Sequence, residues 1–341
     1  MSEETTVAPP KTTLHNVVLD SSKLETFKEC PRKFYYSHVL GWRQDSPNGN
    51  DLHFGTALHE ALEYMLLYGA TQANVEPAFI LFMKKYREKY AVETDPLFTR
   101  KNPASALTAL QQYADTYGRE KFKVHFTEVA GAVPIGENAD GSTREIFFRL
   151  DSVLEDERGS ISTMDHKTGS RNDRAWRDQW NLRNQLFTYV HVLYTIYEGD
   201  HSRIYGAVIN GILFKDKSVE LVRVPVRKTP DMMEAWLGEV NSWVDFLEHH
   251  LLLLREEMET GHKPTMQSFP KNDTACTKYY GCQFMPFCTV WANPLKRSDA
   301  PPIGFVQEFW DPRKEHAKNV TKIGVNGELL IEKNETKEET K

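Results

Sequence analysis

The feature that most constrains the fold is a pair of strand-like segments that carry acidic residues at matched positions. Thr143–Leu154 and Ser160–Lys167 are rich in β-branched and aromatic residues, and the residues between them favour a turn. A β-hairpin is the simplest arrangement of the two segments. If the hairpin is centred on residue 158, Asp151 lies directly opposite Asp165. The sequence therefore predicts a hairpin that brings two carboxylates together.

A lysine shares this predicted site. Side chains two residues apart in a strand project from the same face, so Asp165 and Lys167 point together. Two opposed carboxylates repel each other unless a proton or a cation lies between them, and oxygen ligands favour Mg²⁺ or Mn²⁺. The alternative is an ordinary ion pair between Asp165 and Lys167, with Asp151 an acid beside the turn. These residues alone leave both interpretations open.

Two predicted helices carry further candidates. His59 follows the start of a helix near Thr56 and could supply an imidazole ligand. Gln185 and Tyr189 lie four residues apart in a helix predicted over Asn181–Glu198, so they share one face and could reach the same phosphate or base. Both patterns are also common in helices without such a role.

The segment Arg171–Arg183 combines basic and aromatic residues. It contains four arginines, two aspartates and two tryptophans. Cations interleaved with aromatic rings suit a single-stranded nucleic acid, whose phosphates need charge and whose bases stack. A solvated loop with buried indoles explains the same composition equally well.

Four cysteines are too few for a disulfide framework in a chain of 341 residues. Cys276, Cys282 and Cys288 lie within 13 residues, and Cys30 is the fourth. This grouping predicts one site of four thiolates that holds zinc or an iron–sulfur cluster, joins the two ends of the fold and is structural. Two successive gaps of five residues favour the cluster, because zinc ligands are usually closer in sequence. The alternative is four unrelated buried thiols.

The rest of the chain predicts a helical region followed by a mixed core. A capping box at Ser22 and Glu25 predicts a helix that ends at Cys30. The other predicted elements are helices over 76–90, 104–122 and Asp231–Thr260, and strands over Arg203–Phe214 and Val219–Val226. Residues 1–13 and 313–341 are polar, and we expect them to be disordered tails.

Charge and hydropathy exclude several classes of function. The net charge of −6 provides no overall basic field, so any polyanion must meet a local basic surface. No run approaches the ~20 apolar residues of a membrane span, and residues 1–10 do not resemble an export signal. We therefore expect a cytoplasmic protein that does not bind membranes. A glycine-lysine phosphate loop is missing from the sequence, so this chain does not encode an ATP-driven motor.

Taken in order, these motifs resemble the RecB-type branch of the PD-(D/E)XK nuclease superfamily. They are most similar to its iron–sulfur members: the AddB nuclease domain, CRISPR-adaptation nucleases and exonucleases of bacteriophages. The resemblance spans about Ser21 to Trp291. Its motifs are the first-cysteine helix ending at Cys30, Phe-Gly-Thr-Ala-Leu-His59, Arg-Leu-Asp151, Asp165-His-Lys167-Thr-Gly, and Gln185-x3-Tyr189. Two departures are a five-residue gap where the family often has C-x2-C, and Arg149-Leu150 where it often has a glycine.

The resemblance implies a restriction-endonuclease-like α/β fold, with a central mixed sheet flanked by helices and a four-cysteine iron–sulfur staple. The implied nuclease domain covers 14–295, with a helical subdomain at 60–122, a core at 143–226 and the cysteine segment at 276–288. It also implies a set of site residues. The implied metal ligands are His59, Asp151, Asp165 and the backbone carbonyl of His166, with Mg²⁺ or Mn²⁺ bound.

Within the same resemblance, Lys167 would orient the attacking water or help to deprotonate it. Gln185 and Tyr189 complete the implied catalytic set. The implied cluster is [4Fe-4S] on Cys30, Cys276, Cys282 and Cys288, with zinc the less favoured occupant. Glu128 resembles an acidic residue that the family often has, and we assign it no role from the sequence.

The implied activity is that of a metal-dependent DNA exonuclease. It would act on single-stranded DNA or DNA ends in recombination, repair or phage DNA metabolism within a bacterial cell. A nuclease without a motor suggests either a ring of identical subunits around DNA or a separate helicase partner. Two alternatives are a catalytically idle DNA-binding or assembly subunit, and a nuclease of CRISPR adaptation.

Overall fold

The computed structural model describes residues 18–45, 50–260, 264–278 and 281–311, together with the backbone of two short strands at 319–323 and 329–333. The predicted tail at 1–13 lies outside these residues. The segment 313–341, for which composition predicted a disordered tail, contains those two strands. None of the described helices is both long enough and apolar enough to cross a lipid bilayer.

Helices and strands occur in groups along the chain. The α-helices are α1 Ser21–Glu29, α2 Pro31–Phe34, α3 Asn50–Tyr68, α4 Val75–Tyr86, α5 Pro103–Tyr117, α6 Arg174–Asp178, α7 Asn184–Ile196, α8 Pro230–Glu259 and α9 Met285–Cys288. The strands are β1 Trp42–Gln44, β2 Lys123–Glu137, β3 Thr143–Glu155, β4 Ile161–Gly169, β5 Ile204–Phe214, β6 Val219–Val226, β7 Phe305–Gln307, β8 Asn319–Ile323 and β9 Leu329–Lys333. The shorter helical segments are a π-helix at Tyr35–Val39 and 3₁₀ helices at Gln72–Asn74, Val92–Leu97, Gln179–Asn181, His201–Arg203, Asp273–Ala275 and Pro294–Arg297.

A mixed sheet organises the described strands. Its order is β6-β5-β4-β3-β2-β8-β9, and β1 pairs with β7 in a separate small sheet. β4 and β5 are parallel and are connected through α7, whereas β3 pairs with β4 and β5 pairs with β6 in antiparallel fashion. A parallel pair requires a crossover of this kind. The α/β class with a mixed central sheet is confirmed.

The predicted hairpin forms in the predicted register. Ser152 pairs with Met164, and Glu155 pairs with Ile161, so the hairpin is centred on residue 158. The alternation of side chains is strict in a strand, and a shift by one residue would turn the buried residues of β3 and β4 outward. The positions of Asp151 and Asp165 follow from this register.

The described residues form two compact units. The first unit combines residues up to 45 with 135–147 and 234–311. Its core is rich in aromatic rings, such as the stacked pair of Phe34 and Phe269. The second unit combines residues 50–134 and 148–233 with the two C-terminal strands, and it contains every residue of the predicted metal and catalytic set.

Helices α3, α4 and α5 share one apolar core in the second unit. Helix α5 begins with a capping box between Asn102 and Ser105, and a proline occupies its first turn. Phe54 of α3 packs edge-on against Phe214 of β5, with ring centroids 5.0 Å apart. This packing fixes α3 against the sheet, and α3 carries His59.

Two local predictions differ from the structure. The capping box at Ser22 is wrong, because α1 begins after Asp20, whose carboxylate accepts hydrogen bonds from the backbone N–H groups of Ser22 and Lys23. Strand β2 was not predicted, since Gly131, Pro134 and Gly136 interrupt its pattern.

A close approach between Trp176 and β5 generates a stability prediction. A Cβ atom added at Gly211 would lie 2.6 Å from the indole of Trp176 and 2.8 Å from a methyl group of Val222. Gly211→Ala is therefore expected to lower the free energy of unfolding by about 1–3 kcal/mol, measured by urea denaturation. The control is Gly238→Ala in α8, where an added Cβ meets nothing within 4 Å. Alanine there favours the helix by up to about 1 kcal/mol. Wild-type stability in Gly211→Ala would contradict the packing of Trp176.

Candidate active site

Three potential metal ligands converge in the second unit. They come from different elements: His59 from α3, Glu128 from β2 and Asp151 from β3. One ligand atom of each lies within 4.8 Å of the others, and the His59 Nδ1 atom is 3.5 Å from the Asp151 Oδ2 atom. Among the described residues, no other set of three such side chains lies this close together.

Glu128 is the member of this set to which the sequence gave no role. Its φ is +49°, in the left-handed region that residues other than glycine rarely adopt. Both Nε and Nη2 of Arg149 lie close to its Oε2 atom, at 3.0 and 2.6 Å. Burial raises the pKa of Glu128, and the nearby charge of Asp151 adds to the rise. Strained backbone at a polar cluster is typical of functional sites.

Asp151 is the carboxylate on which several neighbouring groups of the site act electrostatically. Its Oδ2 atom accepts a hydrogen bond of 2.8 Å from the backbone N–H of His166. Burial raises the pKa of Asp151, but His59, His166 and Lys167 together with that hydrogen bond outweigh it and hold the pKa below its usual value. Asp151 is therefore a carboxylate that a cation can bind without first displacing a proton.

Asp165 and Lys167 form a tight pair on the face of β4 that the sequence predicted they would share. The Lys167 Nζ atom is 2.6 Å from the Asp165 Oδ2 atom, and the Asp165 carboxylate is buried. Burial lowers the pKa of Lys167, but the charges of Asp165 and Asp151 outweigh it and raise the pKa above the ordinary value. The lysine is thus a fixed ammonium group.

The structure does not place Asp165 in the closest ligand set. Its burial raises its pKa, Lys167 lowers the pKa and Asp151 raises it again, so that the net shift is upward. The shifts of Asp151 and Asp165 have opposite signs, as expected for two neighbouring carboxylates that cannot both ionise freely. Asp165 is positioned beside the group of His59, Glu128 and Asp151 rather than within it.

Gln185 and Tyr189 contact each other on α7. The Gln185 Nε2 atom donates a hydrogen bond of 2.7 Å to the Tyr189 hydroxyl. Burial raises the pKa of Tyr189, and the charges of Asp165 and Asp151 raise it further, which places this hydroxyl in the field of the two carboxylates. The pair is therefore a neutral polar group at the acidic site.

His166 turns its side chain to the other face of β4. Its Nδ1 atom lies 2.8 Å from the side-chain amide nitrogen of Asn210. Burial lowers the pKa of the imidazole to about 3, so the ring is neutral and its Nδ1 atom accepts that hydrogen bond. The backbone N–H of His166 donates to Asp151, and its imidazole lies edge-on to the ring of His59, with ring centroids 5.5 Å apart.

The four cysteines all belong to the first unit. Cys30, Cys276 and Cys282 line one cavity of about 270 Å³, whereas Cys288 is not among its lining residues. The backbone N–H of Asn272 donates to the Cys30 sulfur at 3.4 Å. Within the described part of the chain, no three of the cysteine sulfurs lie within 4.8 Å of one another.

The indoles of the Arg171–Arg183 segment are packed against protein. Trp180 is buried, and Trp176 lies over Gly211 of β5. Arg174 is exposed and pairs with Asp178 at 3.1 Å. The segment contains α6 and the 3₁₀ helix Gln179–Asn181 rather than a loop, and with Trp180 buried and Trp176 half-buried these rings do not form an open stacking surface.

The sequence profile of the PD-(D/E)XK nuclease superfamily matches residues 21–289. The chain belongs to the PD-(D/E)XK nuclease superfamily. No curated protein matches this superfamily member. Among solved structures, a protein of Eubacterium rectale named as a putative exonuclease is 11% identical over 76% of this chain and 88% of its own, with a TM-score of 0.39. The structure of SSO0001 is 13% identical over 56% of this chain and 74% of its own, with a TM-score of 0.23.

Nucleases of the PD-(D/E)XK superfamily use divalent metal ions, and the residues of this member fit such an ion. Two carboxylates and one imidazole suit Mg²⁺ or Mn²⁺, which prefer hard ligands and retain several waters. Glu128 is the potential ligand to which the sequence gave no role. Its only signal was an acidic residue at a position similar to one in the family.

The participation of Glu128 can be tested by direct metal binding. Glu128→Gln keeps the side-chain volume but removes the negative charge, so the Kd for Mn²⁺ is expected to rise about 10-fold or more, measured by isothermal titration calorimetry. The control is Glu157→Gln, which removes an exposed carboxylate in the turn between β3 and β4. Equal affinities of Glu128→Gln and the wild-type protein would remove Glu128 from the ligand set.

Proposed function

We propose that this protein is a Mg²⁺- or Mn²⁺-dependent DNA exonuclease that acts on single-stranded DNA or DNA ends. The observation that carries the proposal is the convergence of His59, Glu128 and Asp151 beside the Asp165–Lys167 pair in a member of a nuclease superfamily. A role in recombination, repair or phage DNA metabolism in the bacterial cytoplasm, with a helicase or in a ring, is a prediction from the sequence.

The proposed ligands are His59, Glu128, Asp151 and Asp165 with the backbone carbonyl of His166. A bound divalent cation would lower the pKa of a water molecule and polarise the scissile phosphate. The ionised Asp151 holds the negative charge that attracts the cation, and His59 supplies an imidazole nitrogen. The protein thus provides a site of fixed charge into which a phosphodiester can be drawn.

Lys167 supplies a positive charge that belongs to the protein rather than to a bound metal ion. Its ammonium group is held 2.6 Å from Asp165, so it does not need to be ordered when the substrate arrives. An ammonium fixed in this way can donate to a phosphate oxygen and stabilise the charge that develops in the transition state. Gln185 and Tyr189 are joined by a hydrogen bond and would contact the phosphate or a base of the same nucleotide.

Substitution of Lys167 tests the catalytic proposal. Lys167→Gln is expected to lower the rate of DNA cleavage by about 10²- to 10³-fold, because one charged donor to the transition state is lost. Asp165→Asn should also abolish most cleavage. The measurement is digestion of end-labelled single- and double-stranded DNA with Mg²⁺ and with Mn²⁺. Lys217→Gln is the control, since Lys217 is exposed in the turn between β5 and β6.

Two results would contradict this function. Wild-type cleavage by Lys167→Gln would show that the lysine is not catalytic. Binding of DNA by the wild-type protein without cleavage under either metal would instead support the idle DNA-binding subunit.

We also propose that the four cysteines hold a [4Fe-4S] cluster with a structural role. Three of them line one cavity, and a backbone N–H points at the Cys30 sulfur. Hydrogen bonds to sulfur are typical of such centres. Around a single tetrahedral zinc ion, four sulfurs would lie within about 4 Å of one another, closer than the described thiols. The proposal prefers the cluster to zinc because the two five-residue gaps between Cys276, Cys282 and Cys288 are wider than those usual for zinc ligands.

The cluster proposal predicts a colour. Protein purified without oxygen is expected to be brown, with broad absorbance near ~400 nm from thiolate-bound iron. Cys282→Ser should lose this absorbance and lower the melting temperature, because the cross-link between Cys30 and the cysteine segment is lost. A colourless wild-type protein that contains zinc by metal analysis would overturn the cluster. The chain has no fifth cysteine to serve as a control, so each of the four serine variants is measured.

A further inference from the structure

The second unit contains a cavity at the C-terminal end of β4, the strand that carries Lys167. Its volume is about 540 Å³, within the usual range for small-ligand sites. It is lined by the start of α3, by residues 97–101 and by the ends of β4 and β5. The lining includes Thr168, which directly follows Lys167, and Ser170. At ~3.3 Å per residue, the cavity begins about 3–10 Å beyond the catalytic lysine along β4.

Lys101 is a fixed cation in this cavity. Its side chain is only 13% exposed, and its Nζ atom lies 3.2 Å from Asp51 Oδ1 and 3.4 Å from the hydroxyl of Thr168. Its backbone carbonyl accepts a hydrogen bond of 3.0 Å from the side chain of Asn50. The lysine is therefore anchored at both its backbone and its ammonium group.

The anionic partners of the cavity are held much less firmly. Asp51 is 81% exposed, and Asp216, which pairs with Arg100 at 2.6 Å, is 75% exposed. Exposed ion pairs contribute little to stability, because water solvates the carboxylate almost as well as the cation does. A competing anion can therefore replace Asp51 or Asp216 while Lys101 stays in place.

We propose that this cavity binds a phosphodiester of the DNA strand next to the scissile one. Lys101 is its principal phosphate ligand and Arg100 the second, and the hydroxyl of Thr168 and the amide of Asn50 lie at the same cavity. The inference rests on the proposed nuclease function and extends it. Thr168 follows Lys167 on β4 and projects from the opposite face of the strand, so a DNA strand whose scissile phosphate lies at Lys167 enters the cavity by passing around the C-terminal end of β4.

The test uses charge variants with opposite expected effects. Binding of a short fluorescein-labelled oligothymidylate is measured by anisotropy in EDTA, which prevents metal-dependent cleavage. Lys101→Gln is expected to raise the Kd about 5-fold. It should also reduce the slope of log Kd against log salt concentration by about 0.7, the contribution of one phosphate contact. Lys101→Arg keeps the charge and should retain the wild-type Kd within about 2-fold. Asp51→Asn removes the competing carboxylate and should lower the Kd about 2- to 5-fold.

The opposite signs separate binding from structure. If the pair of Lys101 and Asp51 only stabilises the fold, both substitutions lose the same contact and weaken binding alike, which would overturn the proposal. An unchanged Kd in Lys101→Gln would also overturn it. The matched control is Lys121→Gln, which removes an exposed positive charge beyond the far end of α5, outside the lining of this cavity, and should leave the Kd unchanged.

Steady-state cleavage distinguishes failure of the subsite from failure of the proposed function. With Mg²⁺, Lys101→Gln should raise the KM for single-stranded DNA about 5-fold and leave kcat within about 2-fold, as expected for loss of uniform binding. A wild-type protein that cleaves DNA, with an unchanged KM in Lys101→Gln, would remove the subsite and leave the nuclease function intact. A wild-type protein that neither binds nor cleaves DNA would overturn the function and the subsite together.

Discussion

The site depends on one constraint, the opposition of Asp151 and Asp165 across the β3–β4 hairpin. Two carboxylates this close and this buried repel each other, and the protein relieves the repulsion in two different ways. The backbone N–H of His166 stabilises the charge of Asp151, whereas the ammonium of Lys167 offsets the charge of Asp165. The result is an asymmetric pair: Asp151 lies with His59 and Glu128, and Asp165 also holds a lysine in position.

The rest of the second unit supplies what the hairpin lacks. The imidazole of the hairpin itself, on His166, contacts Asn210, and α3 delivers a second one, His59, because its apolar face is fixed against α4, α5 and β5. Strand β2 delivers Glu128 through a left-handed residue, a costly conformation that the contacts with Arg149 help to hold. The free energy gained by packing the helices against the sheet thus offsets the repulsion between like charges and the backbone strain at the site.

The sequence predicted the parts of this arrangement that depend on local periodicity. The alternation in β3 and β4 determined the register, and hence which acids oppose each other. The sequence did not predict that Glu128 belongs to the site, because two glycines and a proline interrupt the strand pattern of β2. No sequence pattern predicts a glutamate with a left-handed backbone conformation. The tryptophans of the Arg171–Arg183 segment are a case in which composition alone left two interpretations open. Composition suits stacking on bases, but Gly211 leaves space for an indole only once the sheet has formed.

Strand β4 must also satisfy polar groups on both of its faces. Asp165 and Lys167 occupy one face, and His166 occupies the other, where Asn210 contacts it and in turn donates to the Tyr113 hydroxyl at 3.2 Å. A buried strand of this kind would be unstable if any of these groups lacked a partner. Because these groups are paired, the same contacts that offset the cost of burying them also prevent β4 from shifting. A strand that cannot shift keeps the backbone of His166 and the ammonium of Lys167 in fixed positions relative to Asp151, which is the condition for electrostatic catalysis without reorganisation.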